Sequence, residues 1–159
     1  LLTAIAAQIE IPHQPVPYTF QTLVVLLSGA MLGARKGALS QLLYLGLGLS
    51  GLPVFSGWGF GLVRLLGPTG GYLLAFPVAA FLVGTLLPGR RSVLQTALAM
   101  VAGLLVIFTF GTIQLQLVYF HDWSLAFSNG FLLFSWWDVV KLSAAVGIAS
   151  RFAPKRIPS

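Results

Sequence analysis

An acidic and a basic residue, Asp138 and Lys141, lie one helical turn apart at the start of the last apolar stretch of the chain. Either charge inside a bilayer costs about 2.5–3.5 kcal/mol on insertion scales, so such residues usually face a bundle interior or a cavity. Their i, i+3 spacing places both on one face of a helix. We predict that the pair lines a polar site near the outer end of the last helix.

A structural role for the same pair is the alternative. Ser135 through Asp138 fits a capping box, in which Ser135 is the N-cap and Asp138 reaches back from the third helical position. Lys141 would then only balance that charge. This alternative is weaker for Lys141, since the residue lies a full turn inside the apolar stretch.

A second unusual feature is the segment from Gly51 to Tyr72, GLPVFSGWGFGLVRLLGPTGGY. Its seven glycines and two prolines interrupt any continuous helix. Irregular backbone inside a bilayer survives where protein covers it or where it lines a cavity. The segment therefore predicts a lid or a binding floor, with a plain connecting loop as the alternative.

The composition indicates an integral membrane protein. Of the 159 residues 57% are hydrophobic and 8% charged, and the mean hydropathy is +0.93, whereas soluble domains carry about 25% charged residues. The length favours one domain, residues 1–159. We predict an all-α bundle of about six transmembrane helices with a glycine-rich outer loop. The first helix is taken to lack its start, and the helices are placed at 1–9, 18–34, 37–50, 72–87, 93–115 (with a possible extension to 120) and 135–152.

The basic residues are distributed asymmetrically over these predicted crossings. Six alternating crossings leave Arg64 and Asp122 on one side of the membrane. Positive residues collect on the cytoplasmic side during insertion. Both termini are therefore predicted to be cytoplasmic, with the Gly51–Tyr72 segment facing outward, and the net charge of +6 needs no nucleic acid to explain it. The residues on the cytoplasmic side are Arg35, Lys36, Arg90, Arg91, Arg151, Lys155 and Arg156.

Catalysis and metal binding find little support. The two histidines, His13 and His121, lie in predicted outer loops without cysteine beside them, whereas a metal site needs three or four clustered ligands. The GPTGG sequence lacks the GK[ST] of a phosphate-binding P-loop. We predict no catalytic residue, no metal and no cofactor. A small solute channel or a structural bundle without a high-affinity ligand remains the alternative function.

The chain resembles the BioY family, the biotin-binding membrane subunits (S components) of energy-coupling factor transporters. The resemblance runs in order through almost the whole chain. The family's proline–glycine before the last-helix aspartate is replaced here by Trp136-Trp137, and its Y-x-x-G-x-x-W stretch by Phe108, Gly111 and Gln114. The matching stretches are Ile11-Pro12, Pro15 to Leu23, Gly37 to Ser40, Leu43 to Leu45, Gly51 to Phe55, Gly67 to Leu73, and Asp138-Val139-Val140-Lys141.

The resemblance implies that the ligand is biotin, which has a ureido ring, a thioether ring and a carboxylate tail. Asp138 would accept ureido N–H bonds, while Lys141 would pair with the carboxylate or donate to the ureido oxygen; the sequence leaves these two possibilities open. Apolar walls are expected from Tyr44, Phe55, Trp58 and Tyr72, and backbone donors from Gly70 and Gly71.

The resemblance also implies partners and a location. The expected location is the cytoplasmic membrane of a bacterium or archaeon, where a transmembrane coupling protein and two cytoplasmic ATPases would drive release of biotin. Small residues four apart allow helices to approach closely, and Thr3, Ala7, Ala30 and Ala34 are the candidates for contact with that partner. For any one pair, packing inside the bundle is the favoured alternative.

Overall fold

The computed structural model describes residues 1–88, 92–132 and 136–152, with the backbone alone at Trp136. The described part is mainly helical, with one two-stranded hairpin and short 3-10 and π turns. The main elements are α1 Leu2–Gln8, β1 Glu10–Ile11, β2 Tyr18–Thr19, α2 Gln21–Leu32, α3 Ala34–Leu49, α4 Leu62–Leu66, α5 Gly70–Leu86, α6 Val93–Leu115, α7 Trp123–Ala126 and α8 Trp136–Phe152. The turns are Ser56–Trp58, Gln116–Phe120 and Phe127–Phe131.

Helix α5 is the centre of the bundle. It packs against α2, α3, α4 and α6, while α8 packs against α2 and α6. Glycines bring these backbones together: a Cβ added to Gly29 would lie 2.3 Å from the Ala80 carbonyl oxygen, and one added to Gly84 would lie 2.1 Å from the Ala34 nitrogen. The small residues of α2 and α5 therefore serve contacts within this chain.

The span predicted at residues 18–34 is wrong at both ends. Residues 18 and 19 pair with β1 in an antiparallel hairpin, with Glu10 opposite Thr19. Gly33 then ends α2 and begins α3 with φ of 81°, a left-handed conformation that favours glycine. The pairs Gly29/Gly33 and Ala30/Ala34 therefore do not share one helix, contrary to the prediction.

The Gly51–Tyr72 segment is only partly irregular. Its second half contains α4, and Gly70 already begins α5. Gly70 packs so closely on the Leu65 carbonyl that a Cβ would lie 1.7 Å from that oxygen. The glycines that break the helical pattern in sequence thus permit a tight turn between two helices.

Helix α6 is the longest helix described, and its start follows a local sequence rule. The Ser92 hydroxyl accepts from the Gln95 amide, and the Gln95 side chain accepts from the Ser92 amide, which makes a capping box. With the π turn that follows, Val93–Phe120 is 28 residues long and contains an 18-residue stretch with a mean hydropathy of 2.2, enough to cross a membrane by length and composition. The apolar helices α2 and α5 are shorter.

The region between α6 and α8 contains structure that the sequence did not predict. Asp122 caps α7 by accepting from the Leu125 amide at 2.9 Å, and a π turn follows. Helix α8 begins at Trp136. The capping role predicted for Ser135 falls outside the described residues.

Candidate ligand-binding site

A cavity opens at the end of the bundle that carries the β hairpin and the Ser56–Trp58 turn. Its empty volume is about 700 Å³ when the open mouth is counted. The lining combines a polar group of residues with an aromatic and aliphatic wall. The lining residues are Val16, Pro17, Tyr18, Thr19, Gln21, Thr22, Phe55, Ser56, Arg64, Thr69, Tyr72, Leu73, Phe76, Phe108, Asp138 and Lys141.

Asp138 and Lys141 form a buried ion pair on α8. The Lys141 Nζ lies 2.7 Å from Asp138 Oδ1. Lys141 is 5% exposed and Asp138 is 2% exposed. The same ammonium donates to the Thr19 carbonyl and to the Thr22 hydroxyl, each at 3.0 Å. A lysine has three N–H donors, so the chain itself occupies all of them. Lys141 therefore fixes both the carboxylate and the start of α2.

A line of hydrogen bonds connects this pair to the segment after α3. The Thr19 hydroxyl donates to Gln21 Oε1 at 3.0 Å, and Gln21 Nε2 donates to the Tyr44 hydroxyl at 2.5 Å. Tyr44 in turn donates to the Val54 carbonyl at 3.1 Å. Its ring meets the Phe55 ring edge-on, with centroids 5.5 Å apart. The connection sets the position of Phe55 at the cavity.

Helix α1 and the hairpin hold the same segment from the other side. Gln8 donates to the Phe55 carbonyl at 3.0 Å and accepts from the Trp58 amide at 3.1 Å. The Ser56 hydroxyl donates to the Glu10 carboxylate. This double attachment makes the turn a defined wall rather than a loose connection.

Arg64 is the charged residue among the lining residues that sequence reasoning did not place at the site. It stands on α4, lines the cavity, and crosses Gly59 so closely that a Cβ there would lie 2.2 Å from the Arg64 Nε. A signal was available, since Arg64 is the one charged residue between Lys36 and Arg90. It adds a second cation to the cavity.

The aromatic wall comes from α5 and α6. Tyr72 and Phe108 meet edge-on with centroids 6.3 Å apart, and the Tyr72 hydroxyl donates to the Gly130 carbonyl at 3.1 Å. Gly111 makes room for this ring, since a Cβ there would lie 2.2 Å from it. Gln114 donates to the Leu65 carbonyl at 3.1 Å. These residues therefore build the wall and hold the end of α4.

Tyr18 provides a hydroxyl at the hairpin side of the cavity. A tyrosine hydroxyl is protonated near neutral pH, and burial and the negative charge of Asp138 raise the pKa of Tyr18 further. Among the described residues, no three histidines or acids group closely enough to hold a metal ion. The polar contacts available to a ligand are thus hydrogen bonds and charge pairs.

The structure brings together half of the residues predicted to bind ligand. Asp138, Lys141, Phe55 and Tyr72 line one cavity. The other four do not line it. Trp58 is 67% exposed, Tyr44 meets the Phe55 ring edge-on, and Gly70 and Gly71 pack against Leu65 and Phe110, respectively.

The residues predicted to contact a partner are largely covered by the chain itself. Thr3, Ala7 and Ala30 are at most 4% exposed, and the Thr3 hydroxyl donates to buried Gln41 at 3.3 Å. Ala34 belongs to α3 and faces Gly84 of α5. Contact of these four residues with a partner stays a prediction.

Comparison with known proteins gives a consistent family assignment. A model of the BioY family matches residues 1–157. A probable biotin transporter BioY of Pyrococcus horikoshii is 44% identical, and the biotin transporter BioY of Thermotoga maritima is 42% identical; each match spans 94% of this chain and 88% of the relative. The crystal structure of the S-component for biotin from an ECF-type ABC transporter superposes with a TM-score of 0.83 and 26% identity, over 94% of this chain and 84% of that one.

Proposed function

This chain belongs to the BioY family, and on that premise we propose that it captures biotin as the substrate-binding membrane subunit of an ECF-type transporter. It is a transport subunit and not an enzyme. The observation that carries the proposal is the buried Asp138–Lys141 pair at the wall of a cavity that five aromatic side chains also line. Such a site suits a ligand with a compact polar ring and an apolar body.

The hydrogen bonds within the chain suggest how biotin is oriented. Lys141 already donates to Asp138, Thr19 and Thr22, so we assign it to positioning. Asp138 then accepts the ureido N–H groups, because a carboxylate has up to four acceptor sites. Arg64 is a second cation in the lining, and its planar fork suits the carboxylate tail.

The remaining wall residues of the proposed site have apolar roles. Phe55 and Tyr72 pack on the rings of biotin, and Phe76 and Phe108 extend that surface. Tyr44 supports Phe55 from behind. Trp58, Gly70 and Gly71, first expected at the ligand, act through the structure around it.

We further propose a single multi-pass domain with about six crossings and a glycine-rich outer loop. Arg35 and Lys36 mark the cytoplasmic end of α2 and α3, and Arg151 marks that of α8, as the distribution of positive charge favours. The cavity then opens outward, where biotin is captured. Release inside is driven by the transmembrane coupling protein and the two cytoplasmic ATPases of such a transporter.

A calorimetric titration of the purified protein with biotin tests this function. We expect saturable binding to one site. Lipoate has a sulfur-containing ring and a carboxylate tail but no ureido group, and it should bind at least about 100-fold more weakly, because it leaves buried polar groups without partners. Equal affinity for the two compounds, or no binding of biotin, would contradict the proposal.

The role of Arg64 is tested by a crossed comparison. Arg64→Gln should weaken biotin binding by roughly 10–150-fold, the equivalent of about 1.5–3 kcal/mol for a charge-assisted hydrogen bond. Biotin amide lacks the carboxylate charge, so its affinity should change little in the same variant. Arg151→Gln is the matched control, because Arg151 lies in the last turn of α8, at the opposite end of that helix from Asp138. An equal loss for both ligands would show that Arg64 supports the cavity without meeting the carboxylate.

A further inference from the structure

In the segment from Trp58 to Leu66, which we call the lid of the cavity, the exposed side chains are apolar and the one charged side chain lines the cavity. A lid covered by water would have the opposite arrangement. Its single charged residue, Arg64, lines the cavity. Its exposed side chains are all large and apolar, and Val63 is 81% exposed. On a surface helix in water the apolar stripe faces the core and the charges face solvent. The exposed side chains of this segment are Trp58, Phe60, Leu62, Val63 and Leu66.

Helix length places this segment below the outer boundary of the hydrocarbon. Helix α3 is 16 residues long and starts beside Arg35 and Lys36. At about 1.5 Å per residue it rises about 24 Å, against a hydrocarbon thickness of about 30 Å. The chain after Leu49 therefore begins within the outer leaflet when the basic pair lies at the inner boundary.

We propose that the outer face of the Trp58–Leu66 segment is a lipid-contact surface, immersed in the outer leaflet, and that acyl chains support the lid of the cavity from outside. The segment adjoins a helix of the same character, because α4 packs against α5. The exposed side of α5 carries Leu74, Val78 and Phe81. The lipid-facing surface thus continues from a core helix onto the lid.

The conformation of Trp58 supports this assignment. Trp58 has φ of 56°, a left-handed conformation that few non-glycine residues adopt, and its amide donates to Gln8. The chain thus maintains an unfavourable backbone geometry at a residue whose ring is directed outward. Tryptophan is enriched where a membrane meets water, since its ring is apolar and its N–H is polar.

A bilayer fits this face better than a protein partner does. Protein interfaces surround their apolar centre with a polar rim. Within this segment no polar side chain is exposed, because Arg64 lines the cavity and the other residues that are not exposed are glycine or leucine. The polar neighbour Gln8 lies only at its Trp58 end. The inference rests on the membrane location proposed above and not on the identity of the ligand.

Spin labels at single cysteines test the lipid contact, because the natural chain contains no cysteine. We would label Leu62→Cys, Val63→Cys and Leu66→Cys in phospholipid nanodiscs. Relaxation by oxygen, which concentrates in lipid, is compared with relaxation by a water-soluble nickel chelate. Leu74→Cys is the lipid control, and Gln14→Cys, at the exposed tip of the hairpin, is the water control.

We expect the three lid labels to resemble Leu74→Cys, with strong relaxation by oxygen and at least about fivefold weaker relaxation by nickel than Gln14→Cys shows. Nickel access equal to that of Gln14→Cys would overturn the proposal. Immobilised labels that neither reagent reaches would overturn it too, because a protein would then cover the face. Biotin titration of the same variants separates the two proposals: lipid exposure without biotin binding would refute only the function.

Discussion

At the scale of the residue, Lys141 has a role that the sequence did not suggest. The sequence weighed ligand contact against simple charge balance, whereas the structure shows a cation that joins three groups of the chain itself: Asp138, Thr19 and Thr22. An ammonium with all its donors engaged acts through the groups that it holds in place. We therefore propose Asp138 as the member of the pair that contacts the ligand.

A double-mutant cycle tests this role. Lys141→Met should destabilise the protein by about 3–5 kcal/mol, because the buried Asp138 loses its ion-pair partner. Adding Asp138→Asn should recover part of that loss, because the remaining buried charge is then removed. Both single variants should bind biotin at least about 10-fold more weakly. Thermal unfolding in detergent and calorimetry measure the two effects.

The control for this cycle is Ser143→Ala on the same helix, where the exposed hydroxyl only donates to the Val139 carbonyl. It should change neither stability nor affinity. If Lys141→Met weakened biotin binding but unfolded like the parent protein, Lys141 would be a direct ligand contact and the positioning role would be wrong.

At the scale of the element, the glycines after α4 act in helix packing. The sequence assigned the Gly70 and Gly71 amides to the ligand. In the structure Gly71 lies against α6, and a Cβ there would come within 2.3 Å of the Phe110 carbonyl oxygen. This close approach brings Tyr72 and Phe108 to the same wall of the cavity. Packing between α5 and α6 thus shapes the site.

Two alanine substitutions test the packing role of these glycines. Gly71→Ala should destabilise the protein by about 1–3 kcal/mol, because the two helices must move apart. Gly46→Ala is the matched control in a helix, since a Cβ there meets nothing within 4 Å. It should be neutral, or stabilising by up to about 1 kcal/mol. Equal unfolding temperatures for the two variants would contradict the packing role.

At the scale of the whole molecule, the arrangement depends on helices shorter than a full membrane crossing. Helix α2 has 12 residues, or about 18 Å at 1.5 Å per residue, against about 30 Å of hydrocarbon. In the proposed orientation, the hairpin that precedes it makes up part of the remaining thickness, and the cavity beside the start of α2 lies in the outer half of the bundle.

This arrangement predicts that the hairpin and the α2–α3 connection face opposite sides of the membrane. Both sites are exposed, at Gln14 and at Lys36. On intact cells, an impermeant maleimide should label Gln14→Cys, whereas Lys36→Cys should react only after permeabilisation. The cysteine-free parent is the control for background labelling. Labelling of both variants from outside would overturn the proposed orientation.

Sequence patterns alone established the helical class and the family and singled out the Asp138–Lys141 pair, because hydropathy, i, i+3 spacing and short motifs are local properties of the chain. Tertiary structure decided which residues share the cavity. Arg64 reaches it only because Gly59 leaves room, and Gly71 turns away because α6 lies against it. The approach of Gly71 to Phe110 joins residues far apart in the chain, so no local pattern records it.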